Sequence, residues 1–165
     1  MTLILTASKA NRNRTYQVLY DNNIGNNIMI AGDSHANWVS DLVWFDHSEY
    51  DPMTGAGSMG VEFGGTAVSS SGYGDNTTQG NEQAQSLVED NSELQWTEGY
   101  FRGYFQMHLN AEMMEAKFFG TSMSRPFTFA STYSKGKAMT NLTLLQAVPP
   151  SPNASPTSSA WRTSP

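Results

Sequence analysis

Apolar residues fall into short runs separated by Asn, Gly, Ser and Thr, so most elements predicted here are short. Residues 15–22 place Tyr16, Leu19 and Tyr20 at helical spacing behind Thr15 as a cap, which predicts a short helix preceded by an irregular segment. After the polar turn around Gly25, the run Ile28-Met29-Ile30-Ala31 is closed by Gly32. Four apolar residues bounded by a breaker predict a buried strand. Residues 37–46 carry Trp38, Val39, Leu42, Val43 and Phe45 in an i, i+1, i+4, i+5 pattern, which predicts a helix with Trp38 packed beneath the preceding loop. Residues 58–68 read as a strand interrupted at Gly64-Gly65, where a bulge or close backbone approach is expected. A loop follows, then a polar helix over 81–91. The clearest signal is late: 99–109 and 112–120 alternate around Asn110-Ala111 and predict a β-hairpin. Phe101, Gly103, Phe105, Met107 and Leu109 share one face, matched by Met114, Ala116 and Phe118 on the partner strand, so the sheet should bury one side. His108 falls on the other face and is expected to be exposed, and His47, among Asp46, Ser48 and Glu49, is expected to be solvated.

Composition narrows this to a mixed α/β protein of α+β character, with 1–120 as the folded portion and 121–165 as a poorly ordered tail. Ser, Thr, Pro and Ala dominate 149–165, and such a composition buries too little surface to fold. Of the 165 residues only 15% are charged, and the net charge is −6. Nine dispersed basic residues argue against a nucleic-acid backbone as partner, because that binding needs clustered Lys and Arg. A small phosphorylated substrate stays compatible with an acidic chain if metal ions supply the local positive charge. The chain has no cysteine, which removes disulfides and thiolate chemistry. No apolar stretch approaches the length needed to span a bilayer, and the opening residues lack the basic flank of a signal peptide. Asn13, Asn76, Asn141 and Asn153 each begin an Asn-x-Ser/Thr triplet. These arise easily in a chain this rich in Asn, Ser and Thr, and matter only if the protein is exported. The compartment stays open.

The candidate chemistry lies in Gly32-Asp33-Ser34-His35, just past the carboxyl end of the predicted strand at 28–31. Ligands collect at that end of strands in α/β sheets. If the loop stays extended, residues two apart point the same way and Asp33 can converge with His35. A carboxylate suits hard cations such as Ca²⁺ and Fe³⁺, and neutral imidazole suits iron and zinc. Asp and His after a glycine are equally ordinary turn residues, so on these residues alone a polar turn accounts for the pattern as well.

A longer stretch sharpens the choice. It begins at Asn11-Arg12-Asn13-Arg14-Thr15 and continues through Asn27-Ile28-Met29-Ile30-Ala31-Gly32-Asp33-Ser34-His35-Ala36-Asn37-Trp38-Val39-Ser40-Asp41-Leu42. It runs on through Tyr50-Asp51-Pro52-Met53-Thr54-Gly55-Ala56-Gly57, Gly60-Val61-Glu62-Phe63 and Gly65-Thr66-Ala67-Val68-Ser69-Ser70. It returns at Asn91-Ser92-Glu93-Leu94-Gln95-Trp96 and Tyr100-Phe101-Arg102-Gly103-Tyr104-Phe105. Over about residues 11–120 the chain resembles the PhoD-like alkaline phosphatases, particularly fungal members. The resemblance implies a metallophosphoesterase core of two facing sheets flanked by helices, Fe³⁺ and Ca²⁺ as cofactors, and hydrolysis of phosphomonoesters or phosphodiesters. Carried over by position, it implies Asp33 and His35 as metal ligands or immediate neighbours of metal and phosphate, with His35 also the candidate catalytic acid. In such a site paired metals polarise the phosphoryl oxygens and lower the pKa of an attacking water, and an imidazole can protonate the leaving oxygen. Asn37 is a candidate for orienting the loop, Glu62 for supporting the ligands, and Arg102 for either a phosphate contact or a surface charge.

The family's earlier motifs, Asp-x-His, Gly-Asp-x-x-x-Tyr/Asp and Gly-Asn-His-Asp/Glu, do not occur here. Gly-Asp appears only at Gly32-Asp33 and Gly74-Asp75. The chain therefore resembles the carboxyl-terminal portion of a PhoD-like enzyme, with too few ligands for activity in isolation. Two other readings remain: a non-catalytic interaction module pairing through its strand edges, and an incomplete gene model.

Overall fold

The computed structural model describes residues 9–111, 113–121, 127–134 and 141–145, and from residue 121 onward the backbone alone. Among these residues two helices and two four-stranded sheets make up a mixed α/β fold. The helices are α1 (Lys9–Asp21) and α2 (Thr77–Asp90). The strands are β1 (Asn27–Ala31), β2 (Asn37–Leu42), β3 (Gly60–Gly64), β4 (Leu94–Glu98), β5 (Arg102–Leu109), β6 (Met113–Thr121), β7 (Phe127–Ser134) and β8 (Asn141–Leu145).

The first sheet has the order β1-β3-β2-β4. β1 pairs with β3 in parallel, and β2 runs antiparallel to both β3 and β4. The carboxyl ends of β1, β3 and β4 therefore meet the start of β2 at one edge of the sheet. The second sheet is an antiparallel meander, β5-β6-β7-β8.

The sheets pack through one apolar cluster. Val39, Val61, Phe63 and Trp96 from the first sheet meet Met114, Ala116 and Phe118 of β6, with Phe105 and Met107 at its border. Phe118 is the hub, its ring 5.0 Å from Trp96, 5.1 Å from Phe105 and 6.4 Å from Phe63. The opposite face of the first sheet carries α1, and α2 packs against β4. Tyr16 and Leu19 of α1 cover Leu42, Met29, Trp44 and Met59. Asn76 caps α2, accepting from the Gln79 amide at 3.0 Å, and Ala84 and Val88 supply its buried face.

The hairpin at 99–120 forms: Phe105, Met107, Met114, Ala116 and Phe118 turn inward and His108 is exposed as expected, whereas Leu109, expected on the buried face, lies exposed beside the turn. His47 is exposed as well, with its ring 3.7 Å from that of Trp44. Four expectations need correction. The predicted helix at 37–46 is instead strand β2, central in its sheet. Both of its faces are covered, so the period-two signature of a half-buried strand is erased and the apolar residues fall by chance at helical spacing. The segment before Thr15 is helical from Lys9, because Lys, Ala and Arg favour helix even where no apolar anchor marks the turn. β1 is not buried; it is an edge strand, with Ile30 66% exposed. β4 went unpredicted because Gln95, Thr97 and Glu98 are polar yet buried. Beyond residue 120, in the portion expected to lack order, β7 and β8 extend the second sheet; 146–165 lies outside the described residues.

One polar group is buried at the far end of β2. Asp41 is 3% exposed, and its Oδ2 accepts from the Tyr50 hydroxyl at 2.7 Å and Gln95 Nε2 at 3.2 Å, while its Oδ1 has no hydrogen-bond partner among the described residues. Burial pushes its carboxyl up to about 6, against the opposing bonds from Tyr50 and Gln95. No helix among the described residues is long and apolar enough to cross a membrane.

Candidate functional site

Residues 32–36 connect β1 to β2 across the edge where three strands end. Asp33 and His35 both adopt left-handed backbone, with φ of 68° and 63°. Asp and His enter this region more readily than most residues, but the conformation still costs on the order of 1 kcal/mol or more at each. The loop is thus not extended, and the period-two argument for convergence of Asp33 and His35 does not apply. Asp33 is exposed and His35 is half-buried.

The loop at 69–76 sets the orientation of His35. His35 Nδ1 lies 2.9 Å from the Ser71 carbonyl oxygen. A carbonyl only accepts, so Nδ1 carries the hydrogen, and in the neutral ring Nε2 keeps the lone pair. Imidazoles that bind metals or exchange protons are commonly fixed in this way by a backbone carbonyl on the other nitrogen.

Ser71 is positioned by its neighbours. The Tyr73 amide donates to Gly99 O at 3.1 Å, and its phenol pairs with Thr97 Oγ1 at 2.8 Å. Burial raises the Tyr73 phenol far above its ordinary range, so it stays neutral. At Gly72 a β-carbon would collide with Gly99 O and lie 2.6 Å from His35 O, which makes glycine the residue that allows this approach.

Beneath the loop lies a buried polar layer. Asn37, 3% exposed, donates to Glu98 Oε2 at 3.3 Å and accepts from the Thr66 amide at 3.1 Å. Thr66 Oγ1 donates to His35 O at 3.2 Å, so Asn37 reaches the His35 backbone through Thr66. Glu98 Oε1 accepts from the amides of Tyr100 and Phe101 at 2.6 and 2.9 Å. Burial raises the Glu98 carboxyl, opposed by those amides, by Asn37 and by the charge of Arg102. Arg102 is half-buried, and its Nη1 donates to Phe101 O at 3.2 Å and reaches Thr66 Oγ1 at 3.5 Å.

The structure thus brings His35, Asn37 and Arg102 into one connected network and places Asp33 two residues from it. Glu62 lies elsewhere, on the face of β3 that carries α1. It pairs there with Ser40 and Met29 and accepts a hydrogen bond from Trp38, and burial raises its carboxyl. Ser71, Tyr73 and Glu98 were not singled out from the sequence. The glycines beside them, Gly72 and Gly99, were the available sign that two backbones meet closely here.

The donor types at Asp33 and His35 suit Ca²⁺ and Fe³⁺. A stable site for either needs more donors, and among the described residues no group of three or more His, Cys, Asp or Glu side chains could hold a metal ion. The described residues therefore do not make a metal site by themselves, and no reaction step through a metal is derived from them.

Comparison with known proteins gives two matches. The model of the family described as PhoD-like phosphatase matches residues 5–118. Alkaline phosphatase D of Bacillus subtilis (strain 168) is 28% identical over 109 residues, which cover 66% of this chain and 17% of that protein. The chain thus spans about a sixth of the length of this curated relative. No solved structure matches it.

Proposed function

The chain belongs to the PhoD-like phosphatase family, and from that premise we propose that it is the carboxyl-terminal portion of a metal-dependent phosphoester hydrolase. On this reading residues through about 120 form part of a metallophosphoesterase two-sheet sandwich. Asp33 and His35 contribute to a centre for Fe³⁺ and Ca²⁺ whose other ligands lie outside the described residues. The observation that carries the reading is His35: a left-handed loop at the strand ends, with Nδ1 bonded to Ser71 O, leaves Nε2 as the nitrogen offered to a ligand.

When bound, the metals would supply Lewis-acid stabilisation of the phosphoryl oxygens. This chain's own residues do more limited work. In the neutral ring His35 Nε2 offers its lone pair to a ligand, and only as the imidazolium does it carry a proton to give to the leaving oxygen; the Ser71 carbonyl accepts from Nδ1–H in both states and fixes the ring's orientation. Asp33, exposed on the same loop, offers a carboxylate to a cation. Thr66, Asn37 and Glu98 hold the loop's base in place.

Two assays test this. The isolated chain, given Fe³⁺ and Ca²⁺, is expected to leave p-nitrophenyl phosphate at background hydrolysis; robust turnover lost on Asp33→Ala or His35→Ala would show its ligand set to be sufficient. The second grafts residues 27–42 into Bacillus subtilis alkaline phosphatase D, in place of the block that aligns with them in the family model. The folded graft should turn over p-nitrophenyl phosphate and lose roughly 100-fold or more on His35→Ala. A graft whose activity is indifferent to both Asp33→Ala and His35→Ala contradicts the assignment.

A further inference from the structure

The connection between β2 and β3 lies at the end of the sheet away from the candidate site. Residues 43–58 leave the sheet and return to it at one point, where Met59 N donates to Leu42 O at 2.8 Å. A segment whose ends meet in this way is a compact Ω-type loop. Within it Asp51 organises a turn, accepting from the Met53 amide and the Thr54 hydroxyl while its own amide donates to Ala56 O. Gly57, at φ 88°, lets the returning chain pass against Glu49 O, where a β-carbon would collide. The loop is thus a unit with its own internal structure.

Tyrosine hydroxyls tie that unit to the rest of the fold. Tyr20 donates to His47 O at 3.0 Å. Tyr50 reaches down to the sheet, donating to Asp41 Oδ2 at 2.7 Å and accepting from Gln95 Nε2 at 3.0 Å. The carboxyl beneath Tyr50 is buried, with Oδ1 partnerless among the described residues, so an ionised Asp41 loses solvation that bonds to Oδ2 alone do not replace. Its surroundings offer little charge to offset this. β4 supplies Gln95 and also Glu93, whose carbonyl accepts from the Asp41 amide, and β3 places Val61 opposite. The second sheet turns Met107 and Met114 inward, with His108 and Glu115 on its other face. On the loop Asp46, His47, Glu49 and Asp51 are exposed, and the Tyr50 phenol is itself pushed up by burial and by Asp41.

We propose that residues 43–58 are a proton-linked lid: protonated Asp41 keeps the loop seated, and ionised Asp41 favours a form in which Tyr50 lifts and water reaches the carboxylate. The lid is independent of the family reading and of the candidate site. Seated, the carboxyl titrates at about 6, against 3.8 when hydrated. Protons therefore bind the seated form more tightly, and raising the pH from 4 to 8 multiplies the lifted fraction by roughly 50-fold. The seated form stays dominant, so the lifted one is read by a probe that reacts only when exposed.

The chain has no cysteine, so Val43→Cys, at a buried position two residues after Asp41, introduces a single thiol. Its labelling by dithiodipyridine is divided at each pH by the rate for an unstructured cysteine peptide, which removes the thiol's own ionisation. The normalised rate should rise by roughly 50-fold from pH 4 to 8, and by less than about 3-fold once Asp41→Asn is added. Sub-denaturing urea separates the lid from global unfolding, because a local opening exposes little surface. The Val43→Cys rate should be nearly indifferent to urea, whereas Ala116→Cys, in the inter-sheet core, should label faster with each addition. Gln95→Cys, directly beneath Tyr50, is the second probe should Val43→Cys fail to fold by circular dichroism. A flat pH profile, a rise that survives Asp41→Asn, or a urea response matching that of Ala116→Cys overturns the proposal.

Discussion

Replacing Asp41 by Asn should flatten the pH dependence of stability. The Asp41 carboxyl rises from 3.8 to about 6 on folding because it is buried, with its Oδ1 lacking a partner among the described residues. At about 1.4 kcal/mol per pKa unit, that shift corresponds to roughly 3 kcal/mol. The folded-state value lies above the unfolded one, so folding takes up a proton. The contribution is fully present below about pH 4 and is lost as pH rises through about 6. In Asp41→Asn the amide oxygen can still accept from Tyr50 and Gln95, while the amide nitrogen takes the position of the unpartnered oxygen. An unsatisfied amide costs about 1–3 kcal/mol at every pH, so the slope is diagnostic and the absolute stability is not. Glu62 and Glu98 are also raised by burial and add slope of the same sign, but they are present in both proteins. Urea unfolding followed by circular dichroism from pH 4 to 8, at constant ionic strength, gives the comparison. The unsubstituted chain should lose roughly 2 kcal/mol more than Asp41→Asn across that range, because part of the shift is already titrated at pH 4. Parallel curves would refute the assignment of a desolvated, titrating carboxylate to this position.

Two further outcomes follow from the packing. Gly72→Ala should drive a β-carbon into Gly99 O and His35 O, shift the Ser71 carbonyl away from His35 and cost about 1–3 kcal/mol in urea unfolding. An unchanged midpoint would show that the loop yields freely. Phe118→Ala removes the ring at the centre of the inter-sheet cluster and should cost about 3–5 kcal/mol; a loss under about 1 kcal/mol would mean the two sheets do not depend on it.

How much of this could be read in advance depended on whether burial and hydrophobicity agree. The hairpin of β5 and β6 was legible because one face is buried and the other is not, so alternation survives in Phe105, Met107, Met114, Ala116 and Phe118. β2 and β4 were not: β2 is covered on both faces, and β4 buries Gln95, Thr97 and Glu98 in hydrogen bonds rather than apolar contacts. β1 misled in the opposite direction, since an aliphatic run that reads as buried lies at an open edge. At the candidate site Asp33 and His35 were legible as residue types at a strand end. Their left-handed backbone was not, nor was the carbonyl of Ser71, 36 residues away, that fixes the imidazole. A hydrogen bond between two loops leaves no periodic trace in the chain.

The 32–36 loop presents His35 through Nε2, and the ring's own nitrogens report on it. Long-range ¹H–¹⁵N correlation on the labelled chain, at a pH where His35 is neutral, distinguishes the tautomers. Hydrogen is expected on Nδ1, bonded to Ser71 O, with Nε2 showing the shift of an unprotonated nitrogen. A ring protonated at Nε2 would contradict it.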